Sequence, residues 1–581
     1  MIPVALIAIF GTLIRSIPQL DNIFTPMGTM LHEVDPYFNF RLLENMVANF
    51  PSAMAIDGYA NYQGMAVGFP PLMNWIATII IKLTGADPMM VAVWMPPVLG
   101  GLIAIPIYLI GKELFSKPVG LIGAFIAMIL PCELFHRSLL GFYDHHILEA
   151  TFFFWAMFLI LRYVKTNKAV WAFLAGTALG LYLITWLGGM FGVTVLAIGC
   201  ALHILWKPSK DTAIGFTVIF AITALFGLIY WGQPYAPGNY IPVMPLIVLS
   251  PGLAYAFYKA WDWALSRWPI DKYVVVGSSL VFIIIIGLIG YQFYGEEIKF
   301  ALASVFWGFG SIISEAQPSY PYVWVAVYGV CAILMFGGMY YALKKEYFSP
   351  IFLVAMIIFF IAEIGQRRWS YYFGIDVALL SGLLVYQLSK LAIPKMAVPV
   401  TIVSLFFIFM PMVQTVIGVA TLPTYNNPYY YDSLVWLREN TYEPFTDDYY
   451  LDLDTHGEQP AYTVLAWWDY GHWINQISHR VPLANPANQM SFEMRAFWMS
   501  QNEEQAEKYI SGSNIGIIVA TKEMTDPSKF YAVILQLGED IDQLEELRPN
   551  SMAVRMWTGE GITQYQLIYQ NDLVKIWLRR F

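Results

Sequence analysis

Within Trp467-Trp468-Asp469-Tyr470-Gly471-His472-Trp473, three indole N–H groups that only donate hydrogen bonds stand beside a carboxylate that, when ionised, only accepts. A ligand hydroxyl fits between them. A Ser or Thr side chain gives its proton to Asp469 while its lone pairs accept from Trp467 and Trp468. The simpler alternative is an aromatic-rich turn that closes a small core. Asp144-His145-His146 puts a carboxylate and an imidazole at i and i+2, just before an apolar helix starting near Ile147. Asp144 and His146 either cap that helix or, together with Asp35 of Leu31-His32-Glu33-Val34-Asp35-Pro36-Tyr37, form a divalent-metal site. Carboxylates with one His and water suit Mg²⁺ or Mn²⁺, and the imidazole tilts the choice towards Mn²⁺. Arg367 and Arg368 place two guanidinium groups at the end of a hydrophobic run, as interfacial anchors or as forks for phosphate oxygens. Glu315, in Ser311-Ile312-Ile313-Ser314-Glu315, is by itself a lone loop acid. Asp526-Pro527 opens a helix with a good N-cap and a good first residue, which sets Lys529 and Val533 four apart on one face.

These residues need a membrane scaffold to position them. The 581 residues are 58% hydrophobic and 13% charged, with a mean hydropathy of +0.55, far more apolar sequence than one soluble core requires. A net charge of -9 without a basic stripe does not point to a nucleic-acid partner. Cys132, Cys200 and Cys331 sit in or beside separate hydrophobic runs and indicate neither a disulfide framework nor a thiolate metal site. The run from Ile2 to Ile17, interrupted by Arg15 and lacking a small-residue cleavage site, reads as a retained first span.

Apolar runs predict thirteen spans, beginning near residues 1, 88, 118, 147, 169, 189, 212, 239, 273, 320, 349, 372 and 396. With the N-terminus inside, Lys112, Arg162, Lys207, Arg267, Lys344 and Lys390 mark cytoplasmic loops, the positive-inside pattern. Counting Phe69 to Leu83 as a span would invert everything after it, so that segment is placed at the outer interface within a long first external loop. By this parity the first loop, the loop around Arg137 to His146, the loop from Gly295 to Pro321, the turn at Gln366 to Ser370 and the tail after Leu422 share the outer face. The expected architecture is a polytopic α-helical transmembrane domain over 1–422, followed by a soluble mixed α/β domain over 423–581. In the latter, Ile515 to Ala520 reads as a buried strand and Gln564 to Tyr569 with Leu573 to Leu578 as a late strand pair.

In chain order, these motifs resemble those of the catalytic subunit of oligosaccharyltransferase, the enzyme family of asparagine-linked glycosylation. Trp467-Trp468-Asp469-Tyr470-Gly471 is similar to the family signature. Asp35 matches the acid of external loop one, and Asp144 and His146 match an Asp-x-His motif whose His looks like the archaeal members. Arg137, seven residues before Asp144, matches an arginine lining the site. Glu315 falls where a Ser-x-x-Glu-like motif of the fifth external loop supplies a glutamate. Arg368 matches a pyrophosphate contact, with Arg367 beside it. Asp526-x-x-Lys529 resembles a motif whose downstream apolar residue, here Val533 or Ile534, helps form the pocket for the acceptor's Ser or Thr.

The resemblance implies a single-subunit, archaeal-type enzyme of the membrane-embedded GT-C class, with its active site on the extracytoplasmic face of the cell membrane. It implies transfer of a glycan from a lipid-linked donor of the polyprenyl or dolichol phosphate type to the side-chain amide of Asn in Asn-x-Ser/Thr. Asp35, Glu315 and Arg137 would be catalytic, Asp35, Asp144 and His146 would hold Mn²⁺ or Mg²⁺, and Arg368 and Arg367 would bind the donor phosphate. Trp467, Trp468, Asp469, Lys529, Val533 and Ile534 would bind the acceptor's Ser or Thr. Two alternatives remain open. Another GT-C lipid-phosphate-sugar enzyme would share outer-face acids but has no reason for a Trp-Trp-Asp peptide clamp. A transporter would hold ionisable residues mid-span with repeat symmetry, whereas here no repeat is visible and the candidate site charges lie in external loops, with Glu363 close to a span.

Overall fold

The structure, a computed structural model, describes residues 2–186, 188–231, 244–267, 306, 317–345, 347, 349–391, 396–425, 427–453, 457–486, 491–528, 530 and 547–580. The chain forms two compact units. One comprises Met1–Arg15, Pro97–Ser138 and His145–Thr421, and the other Ser16–Pro96, Leu139–Asp144 and Leu422–Phe581.

The first unit is helical. Among the described residues of the whole chain, seven helices are long and apolar enough to cross a membrane, or eight if one bent pair counts as a span. That pair, Pro321–Tyr328 and Cys331–Lys344, meets at 83°. Gly329 between them has φ +50°, a left-handed conformation that ends the first helix and that glycine adopts without steric cost. The segments expected to span from near 118, 169 and 349 are the helices Lys117–Ile129, Ala169–Leu183 and Pro350–Gly365. Their 13, 15 and 16 residues reach only about 20 to 24 Å at ~1.5 Å per residue, against a hydrocarbon core of ~30 Å. Hydropathy alone does not see such breaks, because an apolar residue reads the same inside a helix and at its end. The helix Met244–Arg267 covers most of the run expected from near 239, and the run expected from near 273 lies outside the described residues. Phe359 stacks on Tyr372 at 4.4 Å, and the Tyr372 hydroxyl donates to that of Tyr182 at 3.0 Å, so even the aromatic core between helices is partly polar.

The second unit is mixed α/β. Its four-stranded sheet has the spatial order Thr463–Leu465, Ile515–Thr521, Val574–Arg579, Tyr565–Gln570. The first pair is parallel and the other two antiparallel. Ile515–Thr521 is buried along its whole length, as expected of a central strand with both faces covered. The late strand pair falls within a residue of the positions read from alternation. Phe69 to Leu83 becomes the helix Leu72–Thr84, which ends on left-handed Gly85.

Candidate functional site

Asp35 is the first residue of the helix Asp35–Asn49, with Pro36 in the first turn, where a missing N–H costs nothing. One turn later Asn39 Nδ2 donates to the Asp35 backbone carbonyl at 3.1 Å and to Asp144 Oδ1 at 3.1 Å. The short Leu139–Asp144 segment is tied to the first loop by the His32 N–H on the Gly141 carbonyl at 3.0 Å. Asp144 is buried.

Asp144, His145 and His146 are consecutive, so the chain itself holds them together, and one ligand atom from each lies within 4.8 Å of the others. The helix His146–Thr166 begins here, and its N-cap residue His145 makes no side-chain capping bond. Glu149, fully buried one turn into the helix, lies 3.6 Å from His145 Nε2 and 3.8 Å from His146 Nδ1. One carboxylate with two imidazoles is a donor set that fits a first-row divalent cation. His145 is the member that reading by motif missed; its adjacency in an Asp-His-His run was the available signal. Asp35 is not in this set; Asn39 bonds its backbone carbonyl and Asp144 Oδ1.

The Trp467–Asp469 segment follows the strand Thr463–Leu465 and leads through the turn Trp468–Tyr470 into the helix Gly471–Ser478. Trp467 Nε1 donates to Asp469 Oδ2 at 3.0 Å, and the Tyr425 hydroxyl donates to the same oxygen at 3.3 Å. Two donors on one oxygen fix the carboxylate plane. Trp468 Nε1 is buried and has no hydrogen-bond partner among the described residues. A buried orphan donor is costly in the absence of a ligand, by about 1–3 kcal/mol, and marks where an acceptor belongs. The expectation that both indoles serve the ligand hydroxyl is thereby narrowed, since Trp467 holds Asp469 and, of the two, Trp468 is left to donate; Trp473 Nε1 of the same motif is likewise buried with no partner among the described residues. Burial, then the charges of Asp469 and Glu523, push the Tyr425 phenol far up, so it stays protonated as a donor. Gly471 is required sterically: a Cβ there would stand 2.3 Å from the Ala484 carbonyl oxygen.

In the other unit, Arg367 and Arg368 lie in a turn, Arg367–Trp369, between the helices Pro350–Gly365 and Ser370–Leu391. Arg137 follows the short helix Glu133–His136. Both segments converge on Glu133, a residue that sequence reading passed over. Its carboxylate lies 3.3 Å from Arg137 Nε, 3.5 Å from His136 Nδ1 and 3.5 Å from Arg367 Nε, and its N–H donates to Ser370 Oγ at 3.0 Å. Burial alone would raise this carboxyl's pKa. The His136 hydrogen bond and the charges of Arg137, His136 and Arg367 outweigh it and hold the group well below the usual carboxylate range. The Arg368 guanidinium sits 5.5 Å from the Trp369 ring centroid. Glu315, Lys529, Val533 and Ile534 lie outside the described residues, although Asp526 Oδ1 does accept from the Ser528 N–H at 2.8 Å in the expected capping position.

Two histidines beside the Trp467–Asp469 turn give a pH signature. Burial pushes His472 down to about 3, and burial reinforced by Arg438 and Arg41 pushes His479 down to about 4, from an ordinary 6.5. Both folded values lie below the unfolded one, so stability is complete above pH ~6.5 and is lost as pH falls. At pH ~5 the unfolded chain is protonated and the folded one is not, which costs about 2 kcal/mol for each imidazole. The melting temperature of the purified chain is therefore expected to be flat from pH 8 to 7 and to fall steadily from 6.5 to 5. A flat profile across that lower range would refute the buried-neutral assignment.

A helical unit with helices apolar enough to cross a membrane and a mixed α/β unit that carries the Trp467–Asp469 turn define the class as a membrane protein with an attached α/β domain. Family models described as "Oligosaccharyl transferase STT3, N-terminal" and "AglB core domain" match residues 6–428 and 428–525. The chain belongs to the oligosaccharyltransferase STT3 family, as a catalytic subunit. It is 27% identical to dolichyl-phosphooligosaccharide-protein glycotransferase 3 of Archaeoglobus fulgidus, over 98% of this chain and 79% of that one. Its fold matches two solved structures of an oligosaccharyltransferase from the same organism, each over 98% of this chain and 79% of the other. One is tethered to an acceptor peptide containing the NVT sequon (TM-score 0.83, 23% identity), and the other is in complex with Zn and sulfate (TM-score 0.81, 24% identity).

Proposed function

We propose that the chain moves a glycan from a lipid-linked donor of the polyprenyl or dolichol phosphate type to the side-chain amide nitrogen of Asn in Asn-x-Ser/Thr. The observation that carries this reading is the turn in which Asp469 is held by Trp467 and Tyr425 while the buried Trp468 N–H awaits an acceptor. A Ser or Thr hydroxyl answers both groups at once. Placed there, it sets the reacting Asn two residues away.

An amide nitrogen is a poor nucleophile because its lone pair is delocalised. Asp35 and Glu315 accept hydrogen bonds from the acceptor amide and weaken that delocalisation. Asp144 and His146, with Asp35 and the adjacent His145, would hold a divalent cation, Mn²⁺ or Mg²⁺, and such a cation would supply Lewis-acid stabilisation of the leaving phosphate oxygen. Arg368, with Arg137 and Arg367, adds fixed positive charge at the same phosphate. As the bond from the sugar carbon to the phosphate oxygen breaks, the amide nitrogen bonds that carbon from the opposite face, with inversion, and one amide proton passes to a facing carboxylate, Asp35 or Glu315. Lys529 with Val533 or Ile534 completes the acceptor pocket. The scaffold we propose is a thirteen-span domain over 1–422 and a soluble domain over 423–581, with the site on the extracytoplasmic face and a single subunit sufficient.

Contact of Val533 or Ile534 with the extra methyl of Thr contributes about 0.8 kcal/mol, or roughly fourfold in rate. Initial rates on matched peptides are expected to rank Asn-x-Thr about fourfold above Asn-x-Ser. Equal rates, or faster transfer to Ser, would remove the apolar pocket from the site.

A further inference from the structure

The helix that opens with Asp35 lies along the helix Gly471–Ser478, which leaves the Trp467–Asp469 turn. Successive turns of one meet successive turns of the other. Tyr37 meets Trp473 edge-on with centroids 6.3 Å apart, and Phe38 meets His472 at 4.9 Å. Further along, Arg41 Nη2 pairs with Asp57 Oδ1 at 3.3 Å while Asn475 Nδ2 donates to Asp57 Oδ2 at 3.3 Å. One turn on, Glu44 Oε2 accepts from Gln476 Nε2 at 3.4 Å and from the Tyr450 hydroxyl at 3.1 Å, and Tyr450 in turn lies 3.8 Å under the Arg41 guanidinium.

The ion pair at the middle of this contact is poorly explained as a stabilising device. Arg41 and Asp57 are 2% and 0% exposed, and Arg41 Nε and Nη1 have no hydrogen-bond partner among the described residues. A buried pair so incompletely satisfied often contributes no more than a hydrocarbon pair of the same size. What it supplies is direction. Aromatic faces slide over one another at little cost, whereas a carboxylate bonded on one oxygen to Arg41 and on the other to Asn475 locks the register of the two helices. A slip of one residue along a helix moves its end by ~1.5 Å, and a misplacement of ~1 Å at a reacting group costs on the order of 10²-fold in rate.

We propose that Arg41, Asp57 and Asn475 are positioning residues that fix the distance from Asp35 to the Trp468–Asp469 hydroxyl site, and so set the two-residue spacing between the acceptor Asn and its hydroxyl. This rests on the oligosaccharyltransferase reading above. The test uses the full chain carrying Arg41→Met with Asp57→Asn. That change removes the charges together and keeps an acceptor for the Tyr59 N–H, which bonds Asp57 Oδ1 at 3.0 Å. Peptides with Asn-x-Thr, Asn-Thr and Asn-x-x-Thr are compared. The double variant is expected to melt near the wild-type temperature and to lose on the order of 10²-fold in kcat on Asn-x-Thr. The KM for lipid donor should be unchanged, and the preference for Asn-x-Thr over the two displaced spacings should narrow. A folded double variant with wild-type kcat and wild-type spacing preference overturns the proposal, as does a fall in rate that is equal for all three peptides. If the double variant does not fold, Asn475→Ala decides by the same spacing ratio. A wild-type enzyme that does not distinguish Asn-x-Thr from Asn-x-Ala would instead overturn the parent reading.

Discussion

Asp144→Ala is expected to lower glycan transfer by ~10³-fold or more, with neither Mn²⁺ nor Mg²⁺ restoring it, and chelator is expected to do the same to the wild type until Mn²⁺ is returned. Removing a cation that stabilises a leaving phosphate forfeits several kcal/mol, which corresponds to about that factor in rate. Asp144 is also the only carboxylate in the Asp144–His145–His146 set, and Asn39 ties it to the start of the Asp35 helix. Asn39→Ala, which leaves the cation's own donors intact, should therefore cost less, roughly 10- to 100-fold. Single-turnover rates on protein with a wild-type melting temperature measure both. Full activity in chelator, or an Asp144→Ala rate within tenfold of wild type, would remove the metal from this site.

The second large effect concerns the acceptor. A peptide with Ala in place of Thr should be transferred at a kcat/KM ~10⁴-fold lower, because a site built to bond a hydroxyl leaves its own buried polar groups unpaired when the hydroxyl is missing. Trp468 Nε1 has no hydrogen-bond partner among the described residues and Asp469 is held in place by Trp467 and Tyr425, so the ligand hydroxyl is the piece that completes the set. Trp468→Phe deletes that donor while keeping most of the aromatic surface. It should slow Thr peptides by ~10- to 100-fold and leave the residual rate on Ala peptides nearly unchanged, so that discrimination collapses from one side. Equal losses on both peptides would mean the indole supports the fold and does not read the hydroxyl.

The parts of this site that were legible in the sequence are those whose chemistry is local. Three tryptophans around Asp469, the acid and imidazole at 144 and 146, and the paired arginines at 367 and 368 show their donor and acceptor types without any tertiary information. So do the strands at Ile515–Thr521 and Val574–Arg579, whose apolar patterns suffice. What stayed hidden depends on residues far apart in the chain. Tyr425 reaches Asp469 from 44 residues away, and Glu133 meets Arg367 from the far side of several helices. Nothing in the spacing of Trp467 and Asp469 says that they bond each other and not a ligand, because that choice depends on the turn that follows the strand. The shape of the span expected from near 320 was hidden for a different reason. An uninterrupted hydropathy signal over 320–345 conceals the 83° bend that a left-handed Gly329 introduces.

The most direct measurement is transfer itself. Purified chain is incubated with a lipid-linked glycan extract and a fluorescent Asn-x-Thr peptide, and the peptide is followed by gel shift and intact mass. The expected result is a slower-migrating product that accumulates with time, gains the mass of a glycan, and does not form when Asn is replaced by Gln. Folded protein that gives no shifted product, or that shifts the Gln peptide equally, would contradict transfer to the sequon asparagine.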